Sequence, residues 1–347
     1  MCKIPPLANA SGILHIGGGL HPQMRRHPTF VGLRHICRFA KLLHLQTSFA
    51  FRNFANPPPL YAMLLKTPFK MMKTLFLTLI FTSIYCFSQT HRFIYEFKYK
   101  PDSTINNYEK TNMTLDVNPD EVKFYSYEYA ETDSLNKVRN FSSANWDSNF
   151  PAIKRKKNTY NNLNYILLDS FFVFETNDKM NWKLTKETKK SGEYNLQKAK
   201  TTFGGRNWTA WFSNEINLNE GPYKFRGLPG MIFEIYDDKQ NFSFNLLKSW
   251  KLQKTYNTNE FLENFAGQKA ILTNEKFIQK KQLEFFNDPL RDMRESYDPN
   301  AEGEFRVYGV KVTSKEQFKE LTKMAQERMK KEYNPIEIDK AVKYPNK

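Results

Sequence analysis

From Gln89 to the last residue the chain has no cysteine and a single histidine, His91. Without cysteine this region cannot use disulfides, even where an oxidising compartment would allow them, so its stability has to come from its core. Ser-His and Cys-His nucleophile pairs have almost no material to work with, and the usual His/Cys zinc sites lack ligands. His91 itself reads as a flexible terminal residue. Glycine is sparse as well: the same region holds nine, and five of them fall between 204 and 230. There is no internal repeat and no heptad seam.

Another absence divides the chain. Residues 1–70 contain no Asp or Glu, yet hold nine Lys and Arg, five of the six His, and Cys2 and Cys37. They read either as upstream sequence preceding the true start or as a disordered extension. Next comes Met71-Met-Lys-Thr-Leu-Phe-Leu-Thr-Leu-Ile-Phe-Thr-Ser-Ile-Tyr-Cys-Phe-Ser-Gln89. Lys73 supplies a positive start, Leu75 to Ile84 an apolar run, and Ser88 a small residue before a cut, which is the layout of a secretory signal peptide over 71–88. The apolar run is shorter than the ~20 residues of a membrane-spanning helix. Lipidation would use Cys86, but bulky Tyr85 precedes it where such sites carry small residues. The expected domain is therefore 89–347, exported to the periplasm, the outer membrane or the medium.

This division also reinterprets the charge. The formal net charge is +16, and residues 1–70 together with Lys73 carry ten of those positive charges. The remaining +6 is ordinary solubility charge, so no nucleic-acid partner is expected. The one dense basic run, Lys154-Arg-Lys-Lys157, reads as a solvated loop.

Short aromatic strands dominate the domain. His91 to Lys100 alternates Phe93, Tyr95, Phe97 and Tyr99, a period of two. Similar runs occupy Met113 to Val117, Val122 to Tyr129, Tyr165 to Phe174, Trp182 to Thr188, Tyr194 to Thr202 and Trp208 to Phe212, with Asn, Asp, Ser and Lys clusters between them. Met231 to Tyr236 and Asn241 to Leu247 form a hairpin across Asp237-Asp-Lys-Gln240. Thr273 to Phe286 reads as a helix with Thr273 as its cap, and Ser314-Lys-Glu-Gln317 as the capping box of a second helix. The predicted class is mainly β with an α+β tail: a curved antiparallel sheet, half-barrel or sandwich, with C-terminal helices packed on it from about residue 273.

Several segments could carry chemistry. Asp298-Pro-Asn-Ala-Glu-Gly-Glu304 echoes a calcium loop, but its twelfth position is Gly309 where a bidentate Glu is needed. It reads as a solvated turn. No metal or cofactor is expected, and no catalytic residue stands out. The glycine-rich segment contains Gly221, Pro222, Gly227, Leu228, Pro229 and Gly230. Leu228-Pro229-Gly230-Met231 matches a type II turn. A phosphate loop would need a Gly-Lys-Ser/Thr ending and a following helix, whereas here a strand follows, so the segment reads as a structural elbow. Around it lie Arg206, Trp208, Trp211, Tyr223, Lys224 and Arg226, which form either a recognition surface or sheet core with solvated charges.

The same residues carry a resemblance. Ala199, Phe203-Gly-Gly-Arg-Asn-Trp-Thr-Ala-Trp-Phe212, Glu215-Ile216 and Gly221-Pro-Tyr-Lys-Phe-Arg-Gly-Leu-Pro-Gly-Met-Ile232 resemble the GLPGLI family of Bacteroidetes envelope proteins. The match is strongest over 194–236, and the layout of 72–340 suits the family. Met231 replaces the leucine of the family name, and Leu196 stands where many members have cysteine. The resemblance implies an exported protein without an established biochemical function and assigns no catalytic residue. The leading expectation is an envelope-associated binding or scaffold module for an apolar ligand or an envelope protein. The alternative is a secreted hydrolase with two carboxylates across a cleft.

Overall fold

The computed structural model describes residues 89–139, 145–147 and 150–345. The signal peptide and residues 1–70 lie outside the described residues.

The fold is mainly β, built on one twelve-stranded sheet that does not close into a barrel. Its strands are β1 (His91–Tyr99), β2 (Glu109–Val117), β3 (Glu121–Ser126), β4 (Ala152–Lys156), β5 (Asn161–Leu167), β6 (Phe171–Asn177), β7 (Lys183–Ser191), β8 (Tyr194–Phe203), β9 (Arg206–Ser213), β10 (Met231–Asp237), β11 (Phe242–Lys251) and β14 (Ile271–Thr273). Two small hairpins complete the strands: β12 (Asn264–Phe265) with β13 (Gln268–Lys269), and β15 (Arg306–Val307) with β16 (Val310–Lys311). The sheet order is β14-β6-β5-β4-β3-β2-β1-β11-β10-β9-β8-β7. Every pairing is antiparallel except β14, which runs parallel to β6. The sheet is thus mixed, but antiparallel apart from this short edge pairing, in line with the predicted antiparallel sheet carrying C-terminal helices.

The period-two pattern explains which face is apolar. Phe93, Tyr95 and Phe97 on β1 point to the same side as Leu115 on β2, Phe124 on β3, Trp208 and Phe212 on β9, and Phe242 and Phe244 on β11. Full burial of one such side chain contributes about 1.5–3 kcal/mol. On the other side, over β3 to β6, a second cluster forms around Tyr125, Tyr165 and Phe171, covered by helix α1 (Tyr127–Arg139) and a π-helical turn (Asn259–Glu263).

Helices α2 (Glu275–Asn287), α3 (Arg291–Ser296) and α4 (Gln317–Lys331) lie in the C-terminal part. Ile278 of α2 packs on Ile166, Phe172 and Phe174 of the sheet, as the sequence pattern implies. Phe318 and Leu321 of α4 pack instead with Leu290, Tyr297 and Val307 in a separate cluster.

Several local expectations need correction. Tyr127 to Tyr129 start α1 rather than end a strand. Tyr165 to Phe174 is a hairpin, because Leu168-Asp-Ser170 turns the chain between β5 and β6. Asn274, not Thr273, caps α2, accepting a hydrogen bond from the Phe277 N–H at 3.0 Å; Thr273 is the last residue of β14. At α4 the Gln317 side chain accepts from the Ser314 N–H at 3.1 Å, one half of the predicted box.

His91 is a paired strand residue, opposite Val117 and Lys251, and stacks on Phe93 at 4.1 Å. It is therefore not a flexible end. Lys154-Arg-Lys-Lys157 is not a solvated loop: its first three residues belong to β4, Arg155 is fully buried, and Lys154 pairs with Glu263 and Glu121.

Candidate functional site

Between β9 and β10 the chain leaves the sheet at Ser213 and returns at Met231, and the elbow packs against the apolar face in between. Its turns are closed by its own backbone. The Phe225 N–H donates to Pro222 O at 3.1 Å, the Gly227 N–H to Asn219 O at 3.0 Å, and the Ile232 N–H to Glu220 O at 3.1 Å. Tyr95 reaches across the face to donate its hydroxyl to Ile232 O at 2.6 Å. Phe225 is driven into the core, with its ring centroid 4.6 Å from Trp208 and 5.6 Å from Phe203. These amides serve the fold.

Two glycines explain the composition. At Gly230 the backbone has φ of +154°, and a Cβ there would lie 2.1 Å from Ser213 O. At Gly221 a Cβ would meet Ile232 Cδ1 at 2.6 Å and Phe225 O at 2.8 Å. Only glycine allows these backbones to approach so closely. The turn at Pro229 is tighter than the type II turn predicted: the Gly230 N–H donates to Leu228 O at 2.8 Å, a three-residue closure.

The predicted cationic residues are neither on a recognition surface nor solvated. Arg206, Tyr223, Lys224 and Arg226 are all buried, as is Trp208. Lys224 Nζ lies 2.6 Å from Glu337 Oε1 and 3.3 Å from Asp178 Oδ2. The Tyr223 hydroxyl also donates to Glu337. Lys340 joins from the C-terminal 3₁₀ turn (Ile338–Lys340), 2.8 Å from Glu337 Oε2 and 3.2 Å from Asp178 Oδ1.

Glu220 is shared in the same way. Arg155 Nη2 pairs with its Oε2, and Arg226 Nε stands 3.3 Å from its Oε1. The Arg226 guanidinium also lies 4.7 Å from the Tyr160 ring centroid. Arg206 latches the C-terminal segment, donating to Asn334 Oδ1 at 2.7 Å, Pro335 O at 2.8 Å and Ile336 O at 3.1 Å, while pairing with Asp237 at 3.3 Å. Three cations of the elbow region therefore tie distant parts of the chain together. Asp178, Glu220, Glu337 and Lys340 were not singled out in the sequence, because each stands in an ordinary local context and meets its partner only after folding; Arg155 drew notice only as part of a basic run that reads as a solvated loop.

Asp178 and Glu337 are two buried carboxylates converging on one lysine, the arrangement closest to a hydrolase pair. Burial pushes both carboxyls up, but Lys224 and Lys340 outweigh it and hold both below the ordinary range. A general acid needs the opposite, a raised pKa. The pair therefore serves as an ionic lock, with neither carboxyl poised to give up a proton. Among the described residues no three His, Cys, Asp or Glu side chains converge as metal ligands. In the Asp298–Glu304 turn, Glu304 is taken up by Arg306 at 2.7 Å and Lys311 at 3.0 Å.

Trp211 is placed differently. It lies on the opposite face of β9, half-buried, with Lys189 Nζ 4.5 Å from its ring centroid. Register pairing puts two rows of side chains on that face. One runs Lys200, Thr209, Tyr236, Ser243, Lys98, Lys110; the other Lys198, Trp211, Glu234, Asn245, Glu96, Asn112. None of these residues is fully buried, and none belongs to a buried apolar cluster.

A family model described as "Protein of unknown function (Porph_ging)" matches residues 205–234, which span β9, the elbow and the start of β10. No curated protein matches the chain. Solved structures are similar, among them two of one protein. "Structure of PNGF-II in C2 space group" shares 14% identity and covers 56% of this chain and 32% of its own, with a TM-score of 0.43. "Structure of PNGF-II in P21 space group" shares 16% identity and covers 56% and 33%, with a TM-score of 0.43. The chain thus spans about a third of the length of the protein in those two structures.

Proposed function

We propose that the protein is an exported, GLPGLI-like binding or scaffold module that presents the open face of its sheet to a protein of the cell envelope. The observation that carries this reading is the asymmetry of the sheet. Its apolar face is filled by the chain's own elbow and C-terminal segment, so an apolar ligand has no vacant face to occupy there. The open part of the opposite face, over β8 to β11 and the ends of β1 and β2 that hold Glu96, Lys98, Lys110 and Asn112, carries Trp211 and Tyr236 among hydroxyls, amides and charges, the mixture typical of protein-contact surfaces. The secretory pattern of residues 71–88 supports the compartment. Among the described residues no helix is long and apolar enough to cross a membrane.

A photo-crosslinking side chain placed at position 236 tests the reading in the native envelope. A discrete crosslinked partner is expected from 236, and none from a matched probe at Lys323 on α4. Equal yields from both positions, or none from 236, contradict it.

A further inference from the structure

At the β7 end of the first row, the sheet forms a groove of about 560 Å³ whose lining includes Lys183, Lys200, Thr202, Asn207, Thr209 and Asp238. Lys183 and Lys200 are direct antiparallel partners. Residues so related hold their Cβ atoms about 5 Å apart on the same side, where like charges repel.

Other lysines on the open face have something to meet. Lys110 pairs with Glu96 at 3.0 Å, Lys198 with Glu187 at 2.7 Å, and Lys189 with Glu234. Lys98 sits 3.8 Å from the Tyr108 ring centroid. The side chains of Lys183 and Lys200 have no ion pair, hydrogen bond or ring contact among the described residues. The carboxylate in the lining is already engaged: Asp238 accepts from Asn207 Nδ2 at 3.2 Å, and Asn207 Oδ1 accepts from Thr202 at 3.0 Å. The Thr209 side chain has no partner either.

We infer that this groove binds an oxyanion, a phosphate or sulfate ester carried on a larger polar molecule. An oxyanion between the two ammonium groups turns their mutual repulsion into two charge-assisted hydrogen bonds. The Thr209 hydroxyl supplies a further donor. The volume is in the range of small-molecule sites and exceeds what a bare anion needs, so a polar carrier lies along Asn207 and Thr202. The inference rests on the reading of this face as the binding face.

Calorimetric titration of the full chain with inositol hexakisphosphate and with a heparin hexasaccharide tests it and separates phosphate from sulfate. Saturable binding of at least one probe is expected. The double variant Lys183→Gln/Lys200→Gln weakens it at least tenfold and flattens its salt dependence, while Lys276→Gln on α2 changes it less than twofold. Without anion the double variant melts no lower than the wild type, because a repulsion has been removed; with anion only the wild type gains in melting temperature. No saturable binding of either probe, or equal weakening by Lys276→Gln, overturns the inference. Crosslinking from position 236 distinguishes the two readings: a captured partner with no anion binding removes the groove assignment and leaves the binding module standing.

Discussion

The filled face of the sheet and the uncovered part of the opposite face treat charge in opposite ways; where that opposite face is covered, Arg92 and Asp116 form a buried pair of their own. On the filled face, Lys224, Arg206, Arg226 and Arg155 are buried and each is matched by acids or carbonyls, which for all but Arg226 come from distant parts of the chain. On the open face, Lys110 and Glu96 meet at the surface across neighbouring strands. A buried pair imposes register, since each charge is costly without its partner, whereas replacing both by apolar groups can be neutral. An exposed pair contributes little. The filled face is therefore where the sequence constrains the fold, and the open face is where it is free to serve a partner.

The sharpest way to break this contrast is Gly230→Ala. The new Cβ would meet Ser213 O at 2.1 Å, and the expected cost is on the order of 4 kcal/mol or more, read as loss of the folded state by circular dichroism. Next is Lys224→Met, which removes the buried one of the two lysines that Glu337 and Asp178 share, leaving only the more exposed Lys340, and should cost about 3–5 kcal/mol in urea unfolding. Truncating the fully buried ring of Trp208 to Ala should cost a similar ~3–5 kcal/mol.

The pH dependence follows from the same lock. A carboxyl whose folded pKa lies below its unfolded one contributes stability above the unfolded value and loses it as pH falls through the folded one. Asp178 and Glu337 are both of this kind. Their contribution should be complete above about pH 5 and decline below about pH 4. The urea midpoint of Lys224→Met should vary less than that of the wild type across this window. The smallest effect is expected on the open face: Lys110→Ala should change stability by no more than about 0.5 kcal/mol.

Much of the sheet is legible in local sequence because alternation is local. Phe93-Ile-Tyr-Glu-Phe97 declares its buried side, and the turn Asp237 to Gln240 declares the hairpin of β10 and β11. The elbow is legible as structure, since a strand follows Gly230. Arg206, Lys224 and Arg226 stand among aromatics and so resemble a binding patch. Their true surroundings depend on Glu337, Asn334 and Asp178, far away in sequence, and no periodicity reports such pairings. The π-turn and α1 were missed for a related reason. Tyr127 and Tyr129 continue the aromatic alternation of β3, yet both lie in α1, where Tyr129 packs on Trp146 and Phe261.

Trp208 and Trp211 sit three residues apart on β9 and face opposite ways, so hydroxyl-radical footprinting of the isolated protein tests the account most directly. It predicts rapid oxidation of Trp211 and strong protection of Trp208. Comparable oxidation of both would mean that the elbow does not fill its face, and would contradict the assignment of the open face as the binding side.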